Sequence, residues 1–80
     1  MTPDEARKMI KEALEEIAPA TELEALEADA DLRESLELDS LDFLNFVETL
    51  GDRSGHRIDE DDYPQLTTLE TGVKFLAAQE

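Results

Sequence analysis

The sequence predicts an all-α fold: a small four-helix bundle of three main helices and one short one, with a long first connection. Two observations lead there. Apolar residues recur at helical spacing in three separate stretches, and capping-box signals open the first and the last of them. Proline or glycine stands where the first two stretches run out, as expected of helix stops.

The first helix is expected from about 3 to 17. Thr2, Pro3 and Glu5 supply a capping threonine, proline at the first helical position and a glutamate that closes the box. Ala6, Met9, Ile10, Ala13, Leu14 and Ile17 then share one face, and Pro19 ends the run. Residues 19 to 38 read as a long loop with at most one short helical turn, pinned by Leu23, Leu26, Leu32, Leu36 and Leu38. A loop of this length in a small domain is usually functional or disordered, and the spaced leucines argue against disorder. The second helix is expected from Ser40 to Leu50, with Gly51 as its stop. "GDRSGHR" is a turn-rich loop, and "IDEDDYPQL" reads as a short helical turn ending near Pro64. Thr67 and Glu70 fit a second capping box, after which Leu66, Leu69, Val73 and Leu76 give the last helix its buried stripe. Gly72 inside that helix costs about 1 kcal/mol relative to alanine, which a close neighbouring helix would explain.

Size and charge narrow the function. Eighty residues make one domain, spanning 1–80, with a small core. Net stability is expected near 3–5 kcal/mol, roughly, on the size argument. There is no cysteine, so neither a disulfide nor a thiolate metal site can staple the fold; this is compatible with a cytoplasmic setting, which is expected. No apolar run reaches the length of a membrane span, and the acidic, amphipathic N-terminus does not read as a targeting peptide. With 22 acidic against 7 basic residues the net charge is −15. Nucleic acid is thereby excluded as a natural ligand, because phosphate binding needs a basic surface. An anionic membrane would repel the chain. Proteins with basic docking patches are the expected partners, and a monomer is the expected state.

The second helix carries two apolar faces. Phe43, Phe46, Val47 and Leu50 follow the core pattern. Leu41 and Leu44, with Asn45 and Glu48, fall on roughly the opposite side. Only one face can pack on so small a bundle. Leu41 and Leu44 are therefore expected to be partly exposed within a rim of Asp42, Asn45 and Glu48, as a docking surface for a basic partner. The alternative is that the long loop folds over them. Ser40 opens this helix, where serine is a favoured N-cap. A helix N-terminus is also a good place to attach a phosphate, since free N–H groups and the positive dipole end favour an anion. Asp39 and Asp42 oppose a bare phosphate, but their oxygens suit Mg²⁺ during a transfer reaction.

"LDSLDFLNFVETL" resembles the D-S-L motif and recognition helix of acyl carrier proteins. The likeness covers nearly the whole chain: a capped first helix, the leucine-dotted loop, D-S-L, the acidic turn after Ile58 and "LTTLE" before the last helix follow in the family's order and spacing. The resemblance implies that a phosphopantetheinyl transferase attaches 4′-phosphopantetheine from coenzyme A to Ser40. It implies that the arm's thiol carries acyl groups as thioesters to acyl-loading and acyl-processing enzymes. The domain itself would catalyse nothing. It ties Asp39 to the modification step with Mg²⁺, and Leu41, Asp42, Leu44 and Glu48 to partner contacts. Phe46, Val47, Leu50, Ile58, Leu66, Leu69 and Val73 match core or acyl-cavity positions.

Several positions depart from the family's pattern. Glu37 and Leu38 stand where a glycine and a small residue usually precede the aspartate. Asn45 replaces a common acid, Glu48 replaces a common apolar residue, and Phe43 with Phe46 would narrow an acyl cavity. These features point to a specialised carrier, in a fatty acid, lipid or secondary-metabolite pathway, rather than the general carrier of fatty acid synthesis. An aminoacyl or peptidyl carrier shares the serine and the fold and is an alternative. An unmodified acidic adaptor using Leu41 and Leu44 is another. A hydrolase built on Ser40 and His56 lacks the strand–turn–helix elbow such a serine needs. "DEDD" at 59 to 62 lacks the ligand spacing of a calcium loop.

Overall fold

Capping explains where the long helices begin. The computed structural model describes residues 1–78, so the last two positions of the expected 1–80 domain lie outside the described residues. Helix α1 spans Pro3–Glu15, and Thr2 caps it with the reciprocal Glu5 contact of a capping box. Helices α2 (Ala20–Glu24) and α3 (Leu32–Ser35) are short. Helix α4 spans Ser40–Ser54; a 3-10 helix follows over Glu60–Leu66, and α5 spans Leu69–Ala77. Among the described residues there is no strand, only an isolated bridge between Asp31 and Thr68. The fold is an all-α bundle.

Helix α1 packs chiefly on α5 and then on α4, and the 3-10 helix packs on α5. Ile10, Leu14, Leu32, Phe46, Leu50, Leu66 and Leu76 are the largest fully buried side chains at the centre, and among the described residues no polar or charged one is buried with them. The radius of gyration is 11.2 Å, close to the ~12 Å expected of a folded chain this long. Gly72 lies where α5 meets α1: a Cβ there would sit 3.1 Å from Ile10 Cδ1. That contact is the close helix approach its presence in a helix implied.

The structure corrects several sequence-based boundaries. Residues 19 to 38 hold two short helices rather than at most one turn. Both are too short to show a period, and backbone hydrogen bonds to the start of α5 hold the segment in place. Leu32 N–H donates to the Thr67 carbonyl (2.8 Å), and Glu70 N–H donates to the Ala28 carbonyl (2.8 Å). Helix α4 does not stop at Gly51. It runs one more turn to Gly55, whose φ of 74° closes it in the left-handed conformation that glycine adopts without strain. Pro64 lies inside the 3-10 helix rather than at its end. Thr68, not Thr67, caps α5, accepting from Thr71 N–H; the Thr67 hydroxyl donates to the Pro64 carbonyl instead.

Candidate functional site

The N-terminus of α4 is built by Asp39 rather than by Ser40. Asp39 has extended backbone and its Oδ1 accepts the Asp42 N–H at 2.8 Å, while Asp42 Oδ2 accepts the Asp39 N–H at 3.4 Å. The capping role expected of Ser40 therefore belongs to its neighbour. Ser40 becomes the first helical residue, with an exposed side chain released from backbone duty. The same carboxylates occupy the helix end that an anion would otherwise use.

The turn before this helix is specific. Leu36 is the C-cap of helix α3, and Glu37 follows with φ 54°, the one non-glycine residue among those described in the left-handed region. Leu38 N–H donates to the Arg33 carbonyl at 2.9 Å and Glu37 N–H to the Glu34 carbonyl at 3.4 Å. This is a Schellman motif, the usual way to end a helix at a left-handed residue. Glu37 thus keeps a backbone shape that glycine would hold at lower cost. Leu36 and Leu38 are buried on either side and lock the turn to the core.

The turn delivers Arg33 to Ser40, a residue the sequence reading did not single out. An Arg33 guanidinium nitrogen lies 3.5 Å from Ser40 Oγ, and Arg33 Cζ sits 5.6 Å from the centroid of the Phe43 ring. That distance allows a cation–π contact. Phe43 also meets Tyr63 edge-on, with centroids 5.8 Å apart, and lies 6.1 Å from Phe46. An open groove of about 530 Å³ starts here, lined by Arg33, Ser40, Phe43, Leu44, Tyr63 and Pro64 among others. One sequence signal pointed to Arg33: it is the only lysine or arginine between Lys11 and Arg53.

The two faces of α4 separate cleanly. Phe43, Phe46, Val47 and Leu50 are buried, as are Leu66, Leu69 and Val73 from the rest of the core set. Ile58 is half-buried against that core. Leu41 is 70% and Leu44 40% exposed. The long connection does not cover them. Asn45 and Glu48 are exposed beside them, and Asp42 is half-buried. His56 lines a different groove with Gly55 and Arg57. It lies just past the far end of α4 from Ser40, and 15 residues of helix span about 22 Å. No Ser–His pair forms. Among the described residues no three or more His, Cys, Asp or Glu side chains are placed to hold a metal, the "DEDD" stretch included. No helix among them is long and apolar enough to cross a membrane.

The fold is that of a small all-α bundle with an exposed serine at the start of α4. Residues 7–76 match the family described as "phosphopantetheine attachment site", and the chain belongs to that family. This agrees with the acyl-carrier resemblance and gives the chain the role of a phosphopantetheine carrier, not an enzyme. No curated protein and no solved structure matches it. The residues at the α4 N-terminus fit the group. Ser40 has an exposed hydroxyl that could be esterified, and the Arg33 guanidinium lies 3.5 Å from it.

Proposed function

We propose that this protein is a discrete acyl carrier protein modified on Ser40. The reading rests mainly on the exposed Ser40 hydroxyl, whose place at the α4 start carries no capping duty because Asp39 has taken it. When attached, the arm supplies a thiol that holds acyl groups as thioesters. Ser40 Oγ would take the phosphopantetheinyl group from coenzyme A, forming a phosphodiester as the pyrophosphate bond breaks, adenosine 3′,5′-bisphosphate leaves and the hydroxyl proton is lost. Asp39 fixes the α4 start from which Ser40 projects, and its carboxylate would offer an oxygen to Mg²⁺ during transfer. Leu41 and Leu44 present an apolar spot to successive partners, with Asp42, Asn45 and Glu48 as its polar rim. Those partners are a phosphopantetheinyl transferase and acyl-loading and acyl-processing enzymes that bear basic docking patches. A specialised fatty acid, lipid or secondary-metabolite pathway in the cytoplasm is the setting proposed. Phe43 and Tyr63 meet edge to face in the groove beside Ser40, with Phe46 buried behind Phe43, an arrangement that favours cargo of modest size.

The test is the intact mass after incubation with coenzyme A, Mg²⁺ and a broad-specificity phosphopantetheinyl transferase. The parent is expected to gain one phosphopantetheine and Ser40→Ala none. An unchanged parent mass would favour an unmodified acidic adaptor.

A further inference from the structure

We propose that Arg33 clamps the phosphodiester of the attached arm, so that the arm leaves Ser40 in one direction rather than swinging freely. The inference rests on Ser40 being the attachment residue. Three observations carry it. First, the Arg33 guanidinium already lies 3.5 Å from the oxygen that would bear the phosphorus. The non-bridging oxygens of a phosphodiester on that oxygen come within reach of its forked donors. Second, the arginine is held there from both ends. Its carbonyl accepts from Leu38 N–H in the Schellman turn, and its guanidinium rests over the Phe43 ring. Third, its charge is unclaimed. Among the described residues no carboxylate lies within ion-pair distance of it, in a chain with 22 acidic residues.

The α4 N-terminus is a poor counter-charge on its own: its Asp42 N–H is taken by Asp39, and the Asp39 and Asp42 carboxylates bring negative charge to that end of the helix. Arg33 supplies the missing counter-charge. The groove past Phe43 towards Tyr63 and Pro64 then lies along the path of the arm's first atoms.

The experiment uses the holo protein at low salt, after its mass confirms modification. On conversion from apo to holo, the Arg33 Nε resonance is expected to shift, and the ³¹P nucleus is expected to relax with the protein rather than as a mobile chain. In Arg33→Gln the ratio of held to free phosphate is expected to fall about threefold, the scale of an exposed ion pair. Arg33→Lys keeps part of the effect, and added salt weakens it in the parent. Identical ³¹P relaxation in parent and Arg33→Gln, or an Arg33 Nε resonance unmoved by modification, would overturn the clamp and leave the carrier reading intact. A parent that gains no mass would overturn the carrier reading itself. The Nε measurement needs no variant, so it decides the question even where Arg33→Gln folds poorly.

Discussion

Glu37 shows how one residue can keep a backbone shape that its side chain disfavours. Its φ of 54° costs about 1–2 kcal/mol in a residue with a Cβ. The buried Leu36 and Leu38 and the Schellman hydrogen bonds hold it there. Glu37→Gly is expected to stabilise the fold by about 1 kcal/mol, seen as a rise of roughly 4–8 °C in Tm. An unchanged or lower Tm would contradict this. Asp39→Ala removes the α4 cap and is expected to cost about 1 kcal/mol by urea denaturation. Gly72 has no room to grow, with Ile10 Cδ1 at 3.1 Å from a Cβ position. Gly72→Val is expected to cost about 1–3 kcal/mol by overpacking the α1–α5 contact.

At the level of the elements, α4 divides its labour between faces. Phe46→Ala is expected to remove about 3–5 kcal/mol, comparable to the whole stability expected of so small a domain. Leu41→Ala, on the outer face, is expected to stay within about 0.5 kcal/mol in stability while weakening partner engagement in a pull-down or titration. Glu48→Lys is the cleaner charge test of that face. Asp42→Lys would also open the capping box and so confuse docking with folding. Partner affinity indifferent to Leu41→Ala, Glu48→Lys and salt would rule this surface out. The elements also differ in how far they could be read in advance. The start of α1 was legible because its cap and period sit in contiguous sequence; the start of α4 was legible from its period, while the cap expected at Ser40 belongs to Asp39. The end of α4 was not legible, because Gly51 and Gly55 are equally plausible stops until the backbone chooses a left-handed residue. Helices α2 and α3 were hidden because both are too short to show a period: the buried Leu23 and packing on α1 hold α2, and α3 is tied by the Leu32 N–H bond to Thr67. Arg33 was hidden for a related reason: its approach to Ser40, seven positions on, depends on a turn that no spacing rule predicts.

Across the whole molecule, charge is the dominant strain. A net charge of −15 is offset by few ion pairs, and those described are substantially exposed: Arg53 to Glu12 at 3.2 Å and to Glu16 at 3.8 Å, Arg57 to Asp59 at 3.1 Å, and Lys74 to Glu70 at 3.7 Å. Such pairs contribute little each, so self-repulsion is left to solvent ions. Salt and Mg²⁺ are expected to raise Tm from its low-salt value, as a melt at several ionic strengths would show; a flat response would refute this. The bond from Glu70 N–H to the Ala28 carbonyl has a consequence for hydrogen exchange. An amide in the first turn of a helix has no partner within its own helix and ordinarily exchanges fast. Glu70 borrows its partner from the long connection, so its exchange rate follows the opening of residues 19 to 38 rather than the fraying of α5. That single amide is a built-in gauge of how often the segment carrying Arg33 lets go of the bundle.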